Sequence, residues 1–174
     1  VISVQWIESF CDKFSKYLGI VIAFLLIIMM INVAFDALNR YLMNSNSVAL
    51  QEMEWHLFSV IILLGLSYTL NQEGHVRVDI LYTNFSAKKK AIINMVGVIT
   101  FVLPLSLLVA FGSLGFVAEA YNFMEQSGDP GGLHYRFIIK GLIPTAFFIL
   151  IFMSIGYFAR NYNLLKRLNS SSDS

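Results

Sequence analysis

A single cysteine, Cys11, stands in 174 residues, so no internal disulfide can brace this chain. Charge is also scarce. Lys, Arg, Asp and Glu make up 13% of the residues, about half the share usual in a soluble domain. With 57% hydrophobic residues and a mean hydropathy of +0.68, that scarcity excludes a water-soluble fold, because most side chains must face lipid or other apolar helices. Twelve basic against eleven acidic side chains leave a formal charge of +1, which excludes the broad basic surface that nucleic-acid binding needs. HExxH, Walker, GxSxG and CxxC patterns are missing, and Cys11 has no nearby histidine. The chain is therefore read as a non-enzyme with no catalytic, cofactor or metal residues of its own.

What is present is a set of long apolar runs. Leu18 to Phe35 has 18 residues without a charge, the threshold for a membrane span. A signal peptide would have a shorter apolar core, and the flank DALNRYLMNSN lacks a small-x-small cleavage site, so this run is read as an uncleaved first helix. Leu57 to Leu70 is only 14 residues, and reaches span length only if Glu52, Glu54 and His56 sit in the headgroup zone beside Trp55. Ala91 to Ala118 runs 28 residues without a charge, longer than a bilayer needs, with a tilt or kink expected near Pro104. Gly141 to Ala159 completes the set, with Pro144 expected in its first turns, where a missing amide proton costs least.

The fold class expected is thus an all-α membrane protein, four helices in a tilted bundle, with spans at about 18–41, 52–71, 91–118 and 138–160. Residues 18–160 form one membrane domain, 161–174 a cytoplasmic tail whose end NSSSDS reads as disordered, and 1–17 an interfacial segment. In that segment Trp6, Phe10, Phe14 and Tyr17 share helical spacing with charges opposite, so it either lies along the membrane surface or extends the first helix. Nine Lys and Arg residues flank the side carrying both termini and three flank the other, which places both ends in the cytoplasm.

Few polar constellations stand out, and each has an ordinary reading beside a functional one. Asp36 and Arg40 are spaced i, i+4 at the outer end of the first helix, as a local ion pair or as a subunit contact. Glu52 and Glu54 open the second helix, where the helix dipole favours acids, and Glu52 can reach Arg40 across the short outer loop. Between the second helix and the lysines 88 to 90 lies NQEGHVRVDILYTNF. There Gly74 serves as a C-cap, Arg77 and Asp79 can pair, or Asp79 can cap a short interfacial helix. Asp129 to Gly132 form a tight turn, after which Arg136 and Lys140 share a helix face, as headgroup contacts or as a docking surface. His56, His75 and His134 fall near membrane faces and not within the bilayer, which counts against haem held across the bundle. A four-helix anchor or small membrane enzyme binding haem or quinone is the alternative class.

EMEWHLFSVIILLGLSYTL followed by NQEGHVRVDIL resembles the small membrane subunit of tripartite ATP-independent periplasmic (TRAP) transporters, the DctQ-like family. DPGGLHYRFIIKGLIP is similar to a stretch before the last helix of many such subunits. The resemblance implies an inner-membrane, sodium-driven importer of an organic-acid anion, such as a dicarboxylate or sialic acid. It implies two partners, a large membrane subunit that carries the substrate and sodium sites, and a periplasmic binding protein that docks transiently. This chain would brace the large subunit. Asp36, Arg40, Glu52, Glu54, His75, Arg77 and Asp79 are then candidates for subunit contact, and Arg136 and Lys140 for docking.

Overall fold

The computed structural model describes residues 2–72 and 85–170, and every regular element among them is helical. Helix α1 spans Ile2–Met43 and α2 spans Val48–Asn71. The third rod comprises α3, Ala87–Gly97, a π-helical turn at Val98–Val102, and α4, Leu103–Asn122. The last helix, α5, spans Phe137–Ser170. All four rods are long and apolar enough to cross a membrane.

Their ends follow local chemistry. Ser47 caps α2 by accepting from the Leu50 amide at 3.4 Å, and Ser86 caps α3 in the same way from Lys89. Pro104 explains the π-helical turn. It has no amide to offer Thr100, and its ring crowds that carbonyl, so the chain widens by one residue just ahead of it. The Leu103 amide accordingly reaches back five residues to the Val98 carbonyl. At the far end of α4, the Met124 amide donates to the Tyr121 carbonyl and the Glu125 amide to that of Ala120, a Schellman closure. Glycine usually takes the left-handed residue in this motif, but here Met124 does, at φ +44°.

Several boundaries differ from those the sequence suggests. Residues 2–17 continue α1 without a break, so of the two readings of that segment the helical extension holds. The two acids opposite its aromatic row, Glu8 and Asp12, turn towards Arg160 of α5, while Lys13 and Lys16 stay exposed. Trp6, Phe10 and Phe14 stack along the outside, while Cys11, Ser15 and Leu18 are buried. Residues 161–170, expected in the tail, are the last turns of α5, and residues 171–174 lie outside the described part. Pro144 is the eighth residue of α5 and not in its opening turn. Helix α2 ends at Asn71 with Gln72 as its cap, ahead of Gly74. Gly74, His75, Arg77 and Asp79 lie outside the described residues, as does the short interfacial helix expected there.

The rods alternate in direction, which brings both chain termini to one end and the 44–47 and 123–136 connections to the other. Helix α5 is the spine. It packs against α1, α2 and the third rod, and it contributes Ala146, Leu150, Met153, Ser154, Gly156, Tyr157 and Asn161 to the interior. Close approach there depends on small residues, as is usual between membrane helices. A Cβ on Gly156 would run into Cys11 of α1, and one on Gly19 would meet the Tyr68 ring of α2 at 2.7 Å. The third rod packs on α5, where Val98 joins Leu70, Leu150 and Tyr157 in an apolar cluster. Little of the apolar surface is consumed by this packing. Only 6% of the most hydrophobic window of α1 is buried within the chain, against 28% for α5, so α1 offers the larger unfilled face.

Candidate functional site

Ionisable side chains are confined to the two ends of the rods, leaving 17–35, 55–71, 91–118 and 141–159 without an acid, Lys or Arg. At the end carrying the termini, Arg160 of α5 reaches across to α1 and α2. Its guanidinium donates to the Asp12 carboxylate, to the Asn71 backbone carbonyl at 3.1 Å and to Asn71 Oδ1 at 3.1 Å. Glu8, one helical turn before Asp12, stands 3.8 Å from Arg160 Nε. Asn71 Nδ2 donates back to Asp12 at 3.1 Å. One cation thus joins three helices and also satisfies a carbonyl that the end of α2 leaves open. Beside it, Asn94 of α3 donates to Asn161 of α5 at 3.0 Å.

Sequence reasoning missed this junction. There Arg160 counts only among the nine Lys and Arg residues that assign topology, and Glu8 and Asp12 only among the charges opposite the aromatic row. Their i, i+4 spacing on the face that also holds Ser15 was the available signal.

The opposite end is built around a loop. Asp129 to Gly132 form the expected turn, with the Gly132 amide donating to the Asp129 carbonyl at 3.0 Å and Gly131 at φ +83°, where Pro-Gly at the centre fits the type II pattern. The loop is closed further by Ser127 N–H to the Leu133 carbonyl at 3.1 Å and Arg136 N–H to the Glu125 carbonyl at 3.0 Å. Glu52 of α2 clamps it from the side. One carboxylate oxygen accepts from the Ser127 hydroxyl and the other from the Leu133 amide at 2.6 Å. The fit leaves no room for a side chain at Gly132, where a Cβ would lie 2.9 Å from Glu52 Oε2.

This arrangement corrects two expectations about Glu52. Because α2 begins at Val48, Glu52 falls outside the first turn, and the dipole does not account for it. Nor does Glu52 pair with Arg40, which bonds instead to Asp36 at 2.7 Å. That local i, i+4 pair agrees with the sequence. Asp36 is wholly buried, and its geometry with Arg40 is that of an ion pair without an aligned hydrogen bond. Glu54 turns one carboxylate oxygen inward, where no described donor meets it.

Lys140 is not a free surface cation. Its ammonium pairs with Glu125 and lies 4.0 Å from the centre of the Phe116 ring. Arg136 is half-buried at the mouth of a groove of about 660 Å³ between α2 and α5, which Glu52, Trp55, His56 and Asp129 also line. His134 stands exposed at the loop tip beside Tyr135. Among the described residues, no group of three or more His, Cys, Asp or Glu is placed to hold a metal ion.

Four apolar rods whose ion pairs, among the described residues, lie towards their ends define a multi-pass α-helical membrane protein. The family model for the DctQ component of tripartite ATP-independent periplasmic transporters matches residues 29–164, well over half of the chain, and the protein belongs to that family. It is thus the small membrane subunit of a TRAP transporter, a class that works with a large membrane subunit and a periplasmic binding protein. Searches of curated proteins and of solved structures return no match.

Proposed function

We infer that this chain is the static brace of a sodium-driven importer of an organic-acid anion, a carboxylate such as a dicarboxylate or sialic acid. One observation carries the reading: the helices are pinned to one another at both ends, while their apolar middles stay largely unburied. A rigid frame with a wide apolar flank suits a scaffold for a larger moving partner. The same frame lacks ionisable groups at mid-depth, where a transport site would need them.

In this reading the large subunit holds the substrate and sodium sites and covers part of the apolar flank, with the α1–α2 seam around Asp36, Arg40 and Glu54 near the contact. Both termini face the cytoplasm of a cell whose inner membrane holds the complex, as the nine-to-three distribution of Lys and Arg indicates. The 123–136 loop then faces the periplasm. Braced from within by Lys140 and flanked by Arg136, it receives the binding protein. The test is co-expression with the large subunit and purification in mild detergent, followed by uptake into sodium-free vesicles with sodium and binding protein supplied outside. A stable one-to-one complex with binding-protein-dependent, sodium-dependent uptake is expected. A lone monomer, or uptake indifferent to this subunit, would overturn the reading.

A further inference from the structure

The groove between α2 and α5 is graded along its length. At the loop end it is bounded by Asp129, Arg136 and the ring of Trp55, and further down by Phe58, Ile62 and Ile143. From Arg136 to Ile143 is seven helical residues, roughly 10 Å along the axis. Polar groups at headgroup level with an apolar channel below them match an amphiphile standing upright in the membrane. They do not match a small soluble anion, which would gain nothing from the channel.

The charges at the mouth are unequal in their freedom. Both oxygens of Glu52 are taken by Ser127 and Leu133, and the ammonium of Lys140 is taken by Glu125. Arg136 and Asp129 remain. Among the described residues neither has an ion-pair partner within 4.0 Å, although both line the same mouth. The Glu52 carboxylate lies within electrostatic range of Arg136 but spends both oxygens on the loop, and a phosphodiester matches the guanidinium's fork of donors.

We propose that this groove is a phospholipid site. Arg136 holds the phosphate, Asp129 accepts from a primary amine on the head, and one acyl chain lies along Phe58, Ile62 and Ile143. The volume of about 660 Å³ falls within the usual range for ligand clefts, roughly 300–1,000 Å³. The bound lipid fills the seam between α2 and α5, so it acts as part of the brace.

The test is native mass spectrometry of the full chain in mild detergent, alone and with its large subunit, titrated with phosphatidylethanolamine, phosphatidylglycerol or inorganic phosphate. One phosphatidylethanolamine should be retained per chain in both preparations, with phosphatidylglycerol weaker and phosphate not competing. Arg136→Ala should weaken retention at least about tenfold, and Asp129→Asn should abolish the preference between the two heads. Ile62→Phe, an apolar exchange that narrows the channel, should also weaken retention and keeps the test decisive if Arg136→Ala does not fold. Retention unchanged in Ile62→Phe and Arg136→Ala would overturn the site. So would binding of phosphate alone, or loss of the lipid on assembly, which would make the groove a seat for the large subunit. Sodium-driven uptake is not read, so this result stands or falls apart from the transport reading.

Discussion

The two ends of the molecule solve the same problem with different parts. At the terminal end one Arg160 joins three helices directly, side chain to side chain, through Asp12, Glu8 and Asn71. At the loop end, Glu52 holds a loop to a helix, and the loop's own backbone hydrogen bonds do much of the work. The first arrangement concentrates its stability in a single cation. The second spreads it over many weak contacts, and so it tolerates the loss of any one of them better. The terminal end is therefore the more sensitive to a single substitution, and the loop end the less.

The largest effect is expected at the terminal end. Arg160→Met should lower stability in detergent by about 2.5 kcal/mol, less than for uncoupling a buried pair, because Arg160 and Asp12 both keep contact with solvent. Denaturant titration followed by Trp6 emission on α1 reads this directly. A loss below about 1 kcal/mol would remove the contrast between the ends. Arg160→Lys should recover only part of the stability, since a point charge cannot serve Asp12 and both Asn71 acceptors together.

Gly132→Ala should cost about 2 kcal/mol, as the added methyl collides with Ser127 and Glu52 in a fitted loop. The same melts check it. If the ends are independent, the Arg160→Met and Gly132→Ala losses add within about 0.5 kcal/mol in the double variant. A larger discrepancy would show that α2 or α5 transmits strain along its length.

Glu52→Gln should act locally. It leaves one strong acceptor where two were engaged, so amide exchange at Leu133 and Arg136 should quicken on the order of tenfold, while exchange at Leu70 stays as it was. Acceleration at both ends would argue against a local clamp. The smallest change, and one of opposite sign, is Met124→Gly. Relief of the left-handed conformation at the end of α4 should raise the melting midpoint slightly, by about 0.5 kcal/mol in stability.

Much of this architecture was legible in the residues. Long uncharged runs specify spans because an unpaired charge or backbone group in hydrocarbon is so costly, and Pro104 marked where the third rod would deviate. The Asp129–Gly132 turn and the Asp36–Arg40 pair followed from local rules of spacing and conformation. The partners of Glu52 and Arg160 did not. Ser127 lies 75 residues from Glu52, and Asp12 lies 148 from Arg160, so no local periodicity links them.

Sequence alone thus determined that the chain crosses a membrane four times' worth of apolar helix and returns both ends to one side of the bundle, because span length and chain direction are local properties. Tertiary structure decided the rest: that α5 is the spine, that residues 2–17 and 161–170 prolong helices, and which distant acid each cation meets. Those outcomes depend on where small residues such as Gly19 and Gly156 let helices approach, and that approach sets the rotation of every helix face.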